Sequence, residues 1–175
     1  HPAPGNPFAA DGSPADEIWS WGHRNPLGLA FDADGRLWAS EMGPQGGDEL
    51  NLIAPGMHYG WPKASHGSHY GGGEIPDHTP GAGFEAPYVW WTPSVSPGSL
   101  MIYSGDAFPD WTGDAFIGAL SGQALIRVDL GGGNATKADQ WDMGQRIRDV
   151  AQGPDGSIWL VEDTPGGRLL QLTPP

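Results

Sequence analysis

Two stretches of this chain superpose without a gap, and that internal repeat limits the possible folds more than any other feature of the sequence. Gly28-Leu29-Ala30-Phe31-Asp32-Ala33-Asp34-Gly35-Arg36-Leu37-Trp38-Ala39-Ser40-Glu41 aligns with Asp149-Val150-Ala151-Gln152-Gly153-Pro154-Asp155-Gly156-Ser157-Ile158-Trp159-Leu160-Val161-Glu162, an offset of 121 residues. Each copy reads as strand, tight turn, strand, because Asp-Gly supplies the positive φ that a hairpin needs. A further short apolar strand follows each copy after a Gly-rich loop, Glu49–Ile53 in the first and Arg168–Leu172 in the second. A looser third copy lies between them, with strands at 100–103, 115–120 and 124–130 joined by Gly-containing turns.

Three units of three or four antiparallel strands result, and strand groups recurring in this way are the pattern of propeller blades. The alternative is a β-sandwich whose hairpins are alike by chance. With 29 Gly and 18 Pro the composition approaches that of disordered chains, but 9 Trp, 4 Tyr and 5 Phe in short spaced runs leave surface to bury. The expected fold is therefore all-β, one partial propeller domain over 1–175, with blades at roughly 18–62, 88–130 and 141–175. No helix is signalled, and 63–87 reads as a long ordered loop over one face. Propellers close with roughly four to eight blades, so three blades leave two open flanks.

Charge and composition exclude several functions. Eight Lys and Arg against 21 Asp and Glu give a net charge of −13, which repels phosphate backbones and argues against nucleic-acid binding. There is no Cys, hence no disulfide framework and no thiolate zinc site. The apolar run around Ser99–Tyr103 is too short to span a bilayer. His1-Pro2-Ala3-Pro4 lacks a basic segment followed by an apolar one. The expectation is a chain that starts after processing or inside something larger.

Three clusters carry chemistry. In Gly22-His23-Arg24-Asn25-Pro26-Leu27-Gly28, Arg24 offers a rigid fork suited to a carboxylate and Asn25 adds a donor and an acceptor, although an Arg in such a turn also closes loops by bonding carbonyls. His23 is either a general base or a structural hydrogen-bonding residue. The stretch Glu41-Met42-Gly43-Pro44-Gln45-Gly46-Gly47-Asp48-Glu49-Leu50-Asn51, followed by His58-Tyr59-Gly60-Trp61-Pro62, supplies the carboxylate and carbonyl oxygens that calcium takes, or simply solvated turns. In Arg146-Ile147-Arg148-Asp149, strand alternation puts both guanidinium groups on one face, for an anionic ligand or for ion pairs with Asp149 or Asp142.

Taken together, these motifs resemble the soluble quinoprotein sugar dehydrogenases, the glucose/sorbosone and aldose sugar dehydrogenase family. The resemblance runs from Asn6-Pro7-Phe8 to Leu172. It implies half of a six-bladed propeller, pyrroloquinoline quinone (PQQ) and calcium as cofactors, oxidation of an aldose sugar at its anomeric carbon to a lactone, and a periplasmic or secreted setting. Arg24 and Asn25 match quinone contacts, Ser94 a cofactor-contacting hydroxyl, and Arg146 and Arg148 a pair on the tricarboxylate cofactor. The carbonyls of Gly43 and Pro44 match ligands of the calcium beside the quinone. Glu49, by its side chain, and Tyr59, by its main chain, match ligands of a second calcium.

Some relatives have Lys near the position of Ser121 and Gln near that of Met42, and each difference removes a possible cofactor contact. The resemblance corresponds to the C-terminal half of a family member; the general-base His is expected outside this chain, which carries no catalytic residue of its own. Calcium would polarise a quinone carbonyl while an Arg steadies the developing charge. The other readings are a non-catalytic three-blade module that binds a carbohydrate or an anion, and an inert half. Self-association, or pairing with a missing N-terminal half, is expected from the open flanks.

Overall fold

Asp-Gly turns set the architecture. In the computed structural model, which describes residues 2–175, Gly35 and Gly156 take up φ of 75° and 78° and close two equivalent hairpins. In the first, Asp32 accepts hydrogen bonds from the main-chain N of Asp34 and Arg36, from Arg36 Nε and from Trp38 Nε1. In the second, Gly153 stands in the place of Asp32. A Cβ there would lie 2.7 Å from Trp159 Nε1.

Eleven strands form three antiparallel sheets. The first holds β1 (Pro26–Phe31), β2 (Leu37–Glu41), β3 (Asp48–Ile53) and β4 (Val89–Trp91) in that order. The second holds β5 (Met101–Ile102), β6 (Ala115–Ala119), β7 (Ala124–Asp129) and β8 (Thr136–Asp142). The third holds β9 (Ile147–Gln152), β10 (Ile158–Glu162) and β11 (Leu169–Leu172). Among the described residues the only helices are three single turns of 3-10 type, and no helix is long and apolar enough to cross a membrane.

Strand grouping departs from the expected units at two places. Val89–Trp91 does not open the second unit but pairs with β3, Leu50 opposite Val89 and Asp48 opposite Trp91. The 63–87 loop therefore leaves the first sheet and returns to it. The second sheet gains β8, which the sequence conceals because its residues are largely exposed and polar. This strand is defined by its pairing with β7, from Ala124 opposite Asp142 to Asp129 opposite Thr136.

The middle sheet is covered on both faces, which explains why β6 is buried throughout. Ala115, Ile117 and Ala119 join Trp38, Leu50 and Trp91 in one core. Phe116 joins Ile147, Val150, Ile158 and Leu160 in the other. Each fully buried Leu, Ile or Phe side chain contributes about 1.5–3 kcal/mol.

Glycines bring the innermost strands together. A Cβ on Gly28 would stand 2.5 Å from Leu100 N, and one on Gly98 would stand 2.8 Å from the Arg148 carbonyl. The beginnings of β1, β5 and β9 are thus neighbours. On the outer flanks, Leu27, Leu29 and Phe31 of β1 are 42%, 64% and 68% exposed, as are Val161 (41%) and Leu169 (63%) on the third sheet.

Candidate functional site

Arg24 precedes β1, and its position is set by Glu41 at the end of β2. Glu41 accepts the main-chain N–H of Arg24 at 2.8 Å and lies 3.0 Å from His23 Nδ1. Burial opposes its charge, but the His23 side chain, the main chain of Arg24 and Asn25, and the charge of His23 hold its pKa below the usual carboxylate value. His23 also meets Ser20 Oγ at 2.8 Å and stacks on Tyr59 at 4.5 Å. Of its two readings, the structural one describes these contacts.

The guanidinium of Arg24 does two things. Its Nη1 donates to the Met42 carbonyl at 2.9 Å, so it does close the loop, while its Nε is buried and bonded to nothing. The group lies 5.3 Å from the Trp61 ring centre and 5.8 Å from that of Tyr70. The Asn25 carbonyl accepts Met42 N at 3.0 Å.

Gly43 and Pro44 follow in a buried turn. A Cβ on Gly43 would collide with the carbonyl oxygens of Gly46 and Gly47, so the turn tolerates no side chain there. Gly43 N donates to Asp48 Oδ1 at 2.9 Å. Asp48 Oδ2 accepts Ser94 Oγ at 2.6 Å. Arg24, Gly43 and Ser94 are thereby joined through Met42 and Asp48. Ser121 donates to the Ser94 carbonyl at 3.2 Å and lies 2.8 Å from Ser96 Oγ.

A void of about 10 Å³, room for roughly one water-sized sphere, lies among Arg24, Glu41, Gly43, Glu49 and Tyr59. Glu41 and Glu49 face each other across β2 and β3 and share the Asn51 amide at 2.9 and 3.0 Å. Burial, against the Asn51 bond and with the neighbouring Glu41 and Asp48, pushes Glu49 up to about 8. A carboxyl in that position takes a proton or a cation. Tyr59 spends its hydroxyl on the Leu52 carbonyl and Ala54 N, and its carbonyl meets His78 Nε2 at 3.1 Å.

Among the described residues, no three His, Asp or Glu side chains converge as a metal site. A hard cation at this place depends on main-chain oxygens, with Glu49 as its carboxylate, a donor set that suits calcium.

Arg146 and Arg148 meet on one oxygen. Asp163 Oδ2 accepts Arg146 Nε at 2.8 Å, Arg146 Nη2 at 2.6 Å and Arg148 Nη2 at 2.8 Å. The partner is neither Asp149 nor Asp142, and strand alternation is not what unites the pair. Pairing runs Ile147 opposite Glu162, then Asp149 opposite Val161, so Arg148 is the extra residue of a β-bulge. The first sheet has the same bulge at Leu27, between Pro26 opposite Glu41 and Gly28 opposite Ser40.

Under the 121-residue offset, Arg146 occupies the place of Asn25, and Asp163 that of Met42. The bond from Asp163 N to the Arg146 carbonyl duplicates that from Met42 N to the Asn25 carbonyl. The approaches to β1 and β9 thus carry the cationic groups, and the approach to β5 between them carries Ser94. Three guanidinium groups, one with an unpartnered N–H and two half-exposed on a single carboxylate, have donors to spare for a polycarboxylate such as PQQ.

Asp48, which bonds both the Gly43 turn and the Ser94–Ser96 segment, is a residue that the motifs do not single out. It stood in the acidic cluster as one oxygen among several, while its hydroxyl and amide partners lie 46 to 48 residues downstream.

Comparison with known proteins shows the family and the fold. The chain is 40% identical over 174 residues to the aldose sugar dehydrogenase YliI of Escherichia coli K12, an overlap of 97% of this chain and 47% of that protein. The crystal structure of the soluble aldose sugar dehydrogenase of Escherichia coli in its apo-form superposes with a TM-score of 0.89 at 39% identity, covering 99% of this chain and 51% of that one. The PQQ-bound aldose sugar dehydrogenase of Streptomyces coelicolor gives 0.74 at 34% identity, over 98% and 48%. The chain spans less than half the length of the curated relative and about half that of these solved structures. The family model for glucose/sorbosone dehydrogenases matches residues 1–171, and the chain belongs to that family.

Proposed function

We propose that this chain carries the electrophilic side of a quinone-dependent sugar dehydrogenase that oxidises an aldose at its anomeric carbon to the lactone, in a periplasmic or secreted setting. PQQ would be held by Arg24, Asn25, Ser94, Arg146 and Arg148, with one calcium on the carbonyls of Gly43 and Pro44 and a second on Glu49 and the Tyr59 carbonyl. The observation that carries this reading is Arg24: a guanidinium tied by Nη1 beside the Gly43–Pro44 turn, with a buried Nε–H left over.

When bound, the quinone supplies the hydride acceptor and calcium the Lewis acid. Arg24 then stabilises negative charge with a donor already in place, and removing such a donor costs about 2.7–4 kcal/mol in comparable sites. The Trp61 and Tyr70 rings lie 5.3 and 5.8 Å from the guanidinium, within reach of its positive charge. Glu41 maintains the approach angle of Arg24 through its main chain. His23 is spent on Ser20, Glu41 and Tyr59, so the proton of the sugar hydroxyl falls to a base supplied by the upstream half that relatives possess.

The test is a PQQ titration of the chain with calcium, followed by tryptophan fluorescence. Aldose and a redox dye are then added together with the upstream half of a relative. Quinone binding and dye reduction support the proposal. Calcium binding without quinone binding would overturn it in favour of an anion- or carbohydrate-binding module, a reading favoured by the half-exposed Arg146 and Arg148.

A further inference from the structure

Asp48 is fully buried, and its carboxyl group receives four hydrogen bonds. Oδ1 accepts Gly43 N at 2.9 Å. Oδ2 accepts Ser94 Oγ at 2.6 Å and the main-chain N of Val95 and Ser96, each at 2.7 Å. No regular ladder accounts for these bonds, because Gly43 lies in the turn after β2 and Val95 and Ser96 in the segment between β4 and β5. A carboxyl group withdrawn from water needs such compensation, and here the donors come from two loops far apart in sequence.

The second loop is also strained. Ser96 has φ of 52°, in the left-handed region that a non-glycine residue adopts only at a cost. A conformation of that kind persists only where the surroundings hold it. Ser96 is held by its N–H on Asp48 and by its carbonyl, which accepts Leu120 N at 2.8 Å.

We infer that Asp48 is the positioning residue of the site, a buried clamp that sets the Gly43–Pro44 turn and the Ser94–Ser96 segment against each other. This deepens the proposed function and rests on it for the ligand, since the two loops hold the Gly43 and Pro44 carbonyls on one side and the Ser94 hydroxyl on the other. Asp48 touches neither sugar nor quinone. It acts through Gly43 and Ser94, and its effect is to have both in place before the cofactor arrives, so that little ordering remains at binding.

Two measurements test the inference. Amide hydrogen exchange of the full chain, free of cofactor, gives the first. Although they lie in loops, the amides of Gly43, Val95 and Ser96 should exchange as slowly as those of β3 and β6. In Asp48→Asn these three should exchange at least tenfold faster while the strand amides keep their rates. The second is the PQQ affinity of the folded Asp48→Asn chain, expected to fall about tenfold, with a larger loss in Asp48→Ala, which retains no acceptor.

A merely structural carboxyl group would lower the melting temperature and leave the quinone affinity of the folded fraction unchanged. That result overturns the positioning role, as does fast exchange of the three amides in the wild type, a measurement that needs no variant to fold. If the wild type binds no quinone, the proposed function fails, and the positioning of that ligand fails with it. The exchange rates still decide whether the clamp exists.

Discussion

The orphaned Nε of Arg24 and the carboxyl of Glu49, whose pKa burial raises to about 8, are two single groups on which the proposed ligands can be tested. Arg24→Ala should weaken PQQ binding at least tenfold by fluorescence titration. Arg24→Lys should do nearly as badly, because a single ammonium nitrogen cannot stand both at the Met42 carbonyl, where Nη1 is, and at the separate place of Nε. Unchanged affinity in either variant would remove Arg24 from the site. For Glu49, calcium should raise the melting temperature of the wild type, and the rise should shrink in Glu49→Gln, which keeps the shape and loses the charge of one of the two proposed sites. These residues were legible in the motifs, since their chemistry is local. The clamp at Asp48 was not, because its worth depends on donors that the fold brings from far along the chain.

Hairpins are the elements with the clearest sequence signal, and the first depends on Asp32. Burial raises the pKa of this carboxyl group, but hydrogen bonds from Trp38 and Arg36, and the Arg36 charge, outweigh it and hold the pKa below the ordinary 3.8. A depressed carboxyl pKa stabilises the fold above the unfolded value and loses that contribution as pH falls through the folded value. The chain should therefore lose stability below about pH 4. Asp32→Asn should flatten that acid limb and lower stability near neutrality by about 1 kcal/mol or more, read by urea unfolding. An acid limb as steep as the wild type's would contradict the assignment.

The repeat predicted both turns, yet it carried no trace of the bulges at Leu27 and Arg148. A bulge is a property of two paired strands. A one-strand pattern attributes the convergence of Arg146 and Arg148 to alternation instead.

For the molecule as a whole, the exposed stripe Leu27, Leu29, Phe31 and the pair Val161 and Leu169 are apolar faces of blades without a neighbour. The isolated chain should associate, with a mass above that of a monomer in light scattering that falls on dilution. Leu29→Glu with Phe31→Glu should return it toward the monomer, since burying two charges in an apolar contact is costly. A wild type that stays monomeric at high concentration would refute this.

By itself the sequence determined the all-β class, the turn positions and the family, because each depends on conformational preferences and motifs within a few neighbouring positions. Tertiary structure alone decided that Val89–Trp91 returns to the first sheet, that polar Thr136–Asp142 completes the second, and that the approaches to three inner strands adjoin. Those outcomes depend on hydrogen bonds and close backbone contacts between segments distant in sequence, whose donors and acceptors look alike until the fold pairs them.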